Sequence, residues 1–121
     1  PGTTEVLYAF HGDPHTGQWT INGELWPDIT MQSVTIGQWS VVELRNISQT
    51  AHPFHLHGHA FELLSVDGEP PPLRTIEDTL DVAPYSIVRV GLMPDNPGEW
   101  MAHCHILPHA EGGMMTMLAV E

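Results

Sequence analysis

Apolar side chains recur along this chain in short runs, at 5–10, 19–21, 33–46, 60–66, 86–93, 99–103 and 115–120, rich in Val, Ile, Leu, Trp and Thr. Turn formers separate them: 12–17, Asn22-Gly23, Asp67-Gly68 leading into Pro70-Pro71-Pro72, and Asp95-Asn96-Pro97-Gly98. No stretch of comparable length repeats its apolar positions at helical spacing, so the runs read as strands. Eleven glycines and eleven prolines punctuate them as turns would. The pattern predicts an all-β architecture, an antiparallel sandwich or barrel, without internal repeat or linker.

Composition narrows the picture without changing it. At 121 residues the expectation is one domain over 1–121, since a second core would be too small to stand alone. With 41% hydrophobic and 15% charged residues the chain reads as globular and soluble, and no apolar run approaches a membrane span. Fifteen acids stand against Arg45, Arg74 and Arg89, with no lysine, for a formal charge of -12. Nucleic acid and anionic membranes are excluded as partners, because both demand a basic patch. The acids either keep the chain dispersed or attract cationic or metal-ion substrates. The chain starts at Pro1 without a signal segment, which fits a processed product, a proteolytic piece or an excised segment.

The chemistry is concentrated in two segments, 52–59 and 103–109, which hold seven of the nine histidines. An accidental distribution would scatter them, so metal binding leads over structural packing of neutral imidazoles. Cys104 is the only cysteine, which rules out an internal disulfide and leaves burial, ligation or reactivity. Cys104, His109 and Met114 fall five residues apart across a Pro- and Gly-containing loop whose ends can close on one ion. Thiolate, imidazole and thioether form a soft set suited to copper, completed by a second imidazole with Met as weak axial ligand. His52 is the best source, held extended by Pro53. Met115 is the fallback for Met114, and either could instead be a core methionine. Zinc also takes Cys and His, but structural zinc seldom recruits a thioether.

His55-Leu56-His57 and His103-Cys104-His105 are both H-x-H triplets. On a strand the two histidines share a face and the middle residue takes the other. Cys104 can therefore turn to one metal while His103 and His105 address a second, with a short covalent path between. Four imidazoles on one edge exceed the needs of a plain electron carrier.

The segments 52–59 and 103–114 resemble the third and fourth copper motifs of multicopper oxidases, the family of laccases and cuprous oxidases. The likeness extends through 60–66, 77–82 and 95–100, covering most of the chain from Ser33 onward. It implies a cupredoxin-like (plastocyanin-like) Greek-key sandwich or barrel with copper as cofactor. It also implies that His52, Cys104, His109 and Met114 hold a type 1 copper. His55 would serve the type 2 ion of a trinuclear cluster, and His57, His103 and His105 its type 3 pair. The implied reaction takes electrons from a small reducing substrate at type 1 copper and reduces O2 to water at the cluster.

The match is partial. The family cluster needs eight histidines, and four are here; His11 and His15, four apart around a turn, cannot substitute and read as surface residues. His59 reads as a supporting or packing residue. The missing half comes either from another cupredoxin domain or from a second copy related by a two-fold axis. The alternative function is an electron-transfer or copper-binding module without oxidase activity. Some relatives carry an acid where this chain has Ala110, with Glu111 the nearest, so proton delivery is unassigned. Met93, Met101, Met115 and Met117 suit either cuprous-ion traffic or core filling, so the reductant is open between phenol and metal ion. Family habit suggests a periplasmic or secreted location.

Overall fold

The computed structural model describes residues 6–13, 18–26, 28–104 and 114–121. Its strands are β1 (Val6–Asp13), β2 (Gln18–Ile21), β3 (Gln32–Val34), β4 (Ser40–Asn46), β5 (His52–Leu56), β6 (Phe61–Val66), β7 (Ile76–Glu77), β8 (Thr79–Val82), β9 (Ile87–Leu92), β10 (Gly98–Cys104) and β11 (Met115–Val120). One sheet runs β2-β1-β4-β9-β6-β7 and the other β3-β11-β10-β5-β8. Between them lies a core to which Val6, Tyr8, Phe10, Leu44 and Val90 contribute from the first sheet and Phe54, Leu56, Ala102, Cys104 and Leu118 from the second. Alternation is clearest in β5, where His52, Phe54 and Leu56 are buried while Pro53 and His55 are not. The all-β, two-sheet expectation holds among the described residues.

Both Asn22-Gly23 and Asp67-Gly68 make tight turns with positive φ at each residue (57° and 75°; 50° and 86°). That conformation matches the twist of flanking strands and accepts Asn, Asp and Gly most readily. Asn22 is further held by its Oδ1, which accepts from Ala9 N–H at 2.7 Å, and its Nδ2, which donates to Leu7 O at 2.8 Å.

Three expectations need correction. The run 33–46 is two strands in different sheets, parted by a turn in which Gly37 takes φ 78°. The sheets are mixed, since β1 pairs β4 and β11 pairs β3 in parallel. The chain leaves the first sheet through β3 before returning as β4, so β1 and β4 are not hairpin neighbours. The short edge strands β7 and β8 lack an apolar run; β8 is set by its pairing with β5.

Candidate metal centre

The site is built on β5 and β10. They pair antiparallel with Phe54 opposite Cys104, His55 opposite His103 and Leu56 opposite Ala102. Directly opposed residues share a face. Phe54 and Cys104 therefore enter the core, each 1% exposed, while His55 and His103 stand half-buried on the outer face. On its other side β5 pairs with β8, setting His52 against Val82 and His55 against Thr79.

On the core side, Cys104 Sγ lies 3.4 Å from His52 Nδ1, and both residues are buried. Their partnership spans 52 positions of sequence. Edge-on contacts with Phe10 and Trp19, at 5.7 and 5.5 Å between centroids, wall the imidazole. Its Nε2 is 2.8 Å from Ser48 Oγ. Met114 is completely buried, and its carbonyl accepts the Cys104 N–H at 3.3 Å, so its backbone lies beside that of Cys104. Met115 stands opposite His103, on the outer face, away from Cys104. A buried thiol against an imidazole nitrogen, with a buried thioether in the same core, fits a soft metal such as copper. His109 lies outside the described residues.

On the outer face His55, His57 and His103 are mutual neighbours, with ring centroids 4.7, 5.6 and 5.1 Å apart. His57 Nε2 and His103 Nε2 are 3.0 Å apart. His55 Nδ1 donates to Asp78 O at 2.9 Å, with Thr79 Oγ1 at the same distance, and His103 Nδ1 donates to Cys104 O at 2.8 Å. A proton fixed on Nδ1 leaves the Nε2 lone pair for a metal. Among the described residues no group of three or more His, Cys, Asp or Glu side chains is arranged to hold a metal ion by itself. His105 and His15 lie outside the described residues; His11 is exposed on β1. Met101, Met115 and Met117 are half-buried on β10 and β11 and Met93 is 48% exposed, so none fills the core. By alternation Met101, Met115 and Met117 share the outer face with His103.

Sequence reasoning missed Ser48, Thr79 and Trp100, and no spacing rule marks them. Trp100 backs the histidine segment: its ring meets His59 edge-on at 5.8 Å, and its Nε1 donates to Asn96 O at 2.8 Å. His59 is buried and packs there, with Nδ1 3.3 Å from His57 O. Between them Gly58 has φ 78°, and an added Cβ would lie 2.7 Å from the Trp100 ring. Gly58→Ala is therefore expected to lose about 1–2 kcal/mol from the left-handed conformation alone. Displacing the ring adds to that loss. A lower denaturation midpoint with altered tryptophan fluorescence checks it.

Comparison with known proteins identifies the family. The full chain, residues 1–121, matches the family model described as multicopper oxidase. Multicopper oxidase MmcO of Mycobacterium tuberculosis is 40% identical over 100 residues, covering 83% of this chain and 19% of that protein. Multicopper oxidase mco of Staphylococcus epidermidis is 38% identical over 108 residues, covering 84% and 24%. The crystal structure of a laccase from Pediococcus acidilactici superposes with TM-score 0.88 at 28% identity, covering all of this chain and 28% of that one. The chain thus spans about a fifth to a quarter of the curated relatives it matches. With two sheets of cupredoxin architecture and a family match along its whole length, this chain belongs to the multicopper oxidases, whose cofactor is copper.

Proposed function

We propose that this chain forms the substrate-oxidising, type 1 copper part of a laccase-type oxidase and supplies half of its trinuclear cluster. The observation that carries this reading is the opposite facing of two adjacent residues. Cys104 enters the core beside His52, while His103 joins His55 and His57 outside. In this reading His52 Nδ1, the Cys104 thiolate, His109 and Met114 hold type 1 copper, and His55, His57, His103 and His105 serve the cluster. Bound copper supplies one-electron oxidation of a small reductant at the first centre and reduction of O2 to water at the second. The chain's own part is to join the two. One peptide link, bridged by the 2.8 Å contact of His103 Nδ1 with Cys104 O, separates the core ligand from the outer imidazole.

The remaining cluster histidines come from another cupredoxin domain or a second copy of the chain. The first source is supported by the small fraction of each relative that this chain spans. The half-buried methionines beside His103 would lie against that partner. A charge of -12 suits a cationic or metal-ion reductant, with phenols the other class, and a periplasmic or secreted location follows family habit. The test is copper stoichiometry of the protein that carries this chain, with visible absorption, solution mass and oxygen uptake. Intense red-light absorption with oxygen consumption is expected. A copper-loaded but colourless protein overturns the reading; a coloured protein that consumes no oxygen leaves an electron-transfer module instead.

A further inference from the structure

Beneath His52 lies a buried polar clasp that the ligand set does not include. The two N–H bonds of Asn46 Nδ2 are shared among three carbonyls, Thr50 O at 2.8 Å, Val82 O at 3.0 Å and Ala83 O at 3.1 Å. Carbonyls only accept, so this end of the amide is its NH2 and the other end is the oxygen. Asn46 Oδ1 then receives Ser48 N–H at 3.0 Å and Ser48 Oγ–H at 2.7 Å. The other acceptor near the hydroxyl is Thr50 O at 3.0 Å. Asn46 is 2% exposed, Ser48 4% and His52 0%.

The consequence is a direction of donation. A serine hydroxyl has one proton, and an amide oxygen only 2.7 Å away can do nothing but accept it, so that proton is directed at Asn46 Oδ1; one of the two lone pairs accepts Thr50 N–H at 3.3 Å. What remains for His52 Nε2, at 2.8 Å, is a lone pair, so Nε2 carries the imidazole proton. Nδ1 then carries no proton, and it faces Cys104 Sγ at 3.4 Å. Since Asn46 ends β4 and binds the carbonyls at the end of β8, the clasp ties the two sheets at the point where this ring must be aimed.

We propose that Ser48, locked by Asn46, is a positioning residue that sets the tautomer and angle of His52 for the core copper centre. This rests on the reading of Cys104 and His52 as copper ligands. Outer partners of metal-bound histidines typically contribute 10–100-fold in metal affinity. Ser48→Ala is expected to weaken copper binding by about 10–100-fold and to alter the red-light band and the electron paramagnetic resonance spectrum. Ser48→Thr, which keeps the hydroxyl, is expected to restore both. Affinity and spectra unchanged in Ser48→Ala overturn the proposal, as does equal loss in both variants, which marks a packing role. A second measurement needs no variant: nitrogen-15 resonances of the diamagnetic cuprous protein should show the His52 proton on Nε2, and a proton on Nδ1 overturns the proposal. If the unsubstituted cupric protein itself lacks the red-light band, it is the assignment of the centre that fails, not the clasp.

Discussion

Cys104→Ser is expected to abolish the red-light absorption of the copper-loaded protein and to reduce substrate oxidation to background. The substitution exchanges a soft sulfur for a hard oxygen at the centre of the proposed ligand set, and copper thiolate chemistry does not survive that change. Its second effect is on folding. The position is 1% exposed, packed opposite Phe54, so the new hydroxyl is carried into an apolar interior. His52 Nδ1, 3.4 Å from the sulfur being replaced, can accept from that hydroxyl, which holds the cost of burying it to about 1 kcal/mol. Metal-free denaturation curves should show a loss of that size, while the visible spectrum shows complete loss. A variant that keeps the red-light band would remove Cys104 from the site.

His57→Ala is expected to separate the two halves of the reaction. His57 is exposed, just past the end of β5, and its ring meets His55 and His103 on the outer face only. Removing it leaves Cys104, His52 and Met114 untouched, so the red-light band should persist and bleach under an anaerobic reductant. Oxygen consumption should disappear, because the proposed outer copper set would lose a ligand. Stability should change by no more than about 0.5 kcal/mol, as for other exposed substitutions. An oxygen electrode and absorption spectroscopy on one sample check both halves. Oxygen uptake at the unsubstituted rate would overturn the role of the outer imidazoles.

Both predictions rest on a feature legible in the order of the residues themselves. An H-x-H triplet on a strand separates its middle residue from its flanks, and β10 does this at Cys104 and His103. The turn chemistry was equally plain at Asn22-Gly23 and Asp67-Gly68, where only a few residue types accept the required φ. Other features had no local signature. The run 33–46 carries apolar residues at 34, 36, 39, 41, 42 and 44 without a marked break, yet Gly37 lets the chain pass from one sheet to the other. Ile76–Glu77 is a strand only because β6 offers it an edge. The half-buried methionines show the same limit, since periodicity says which residues share a face but not which face turns inward.

The amino-acid sequence alone determined the strand-rich class, the soft donor set around Cys104 and the opposite facing of that sulfur and its histidine neighbour. These depend on side-chain chemistry and on the two-residue repeat of an extended backbone, both local properties. Tertiary structure alone decided that His52 meets Cys104 across 52 positions, that His57 meets His103 across 46, and that Ser48 is the group behind His52. Those choices follow from strand register and sheet packing, in which residues far apart along the chain compete for one interior. No short-range pattern encodes the winner.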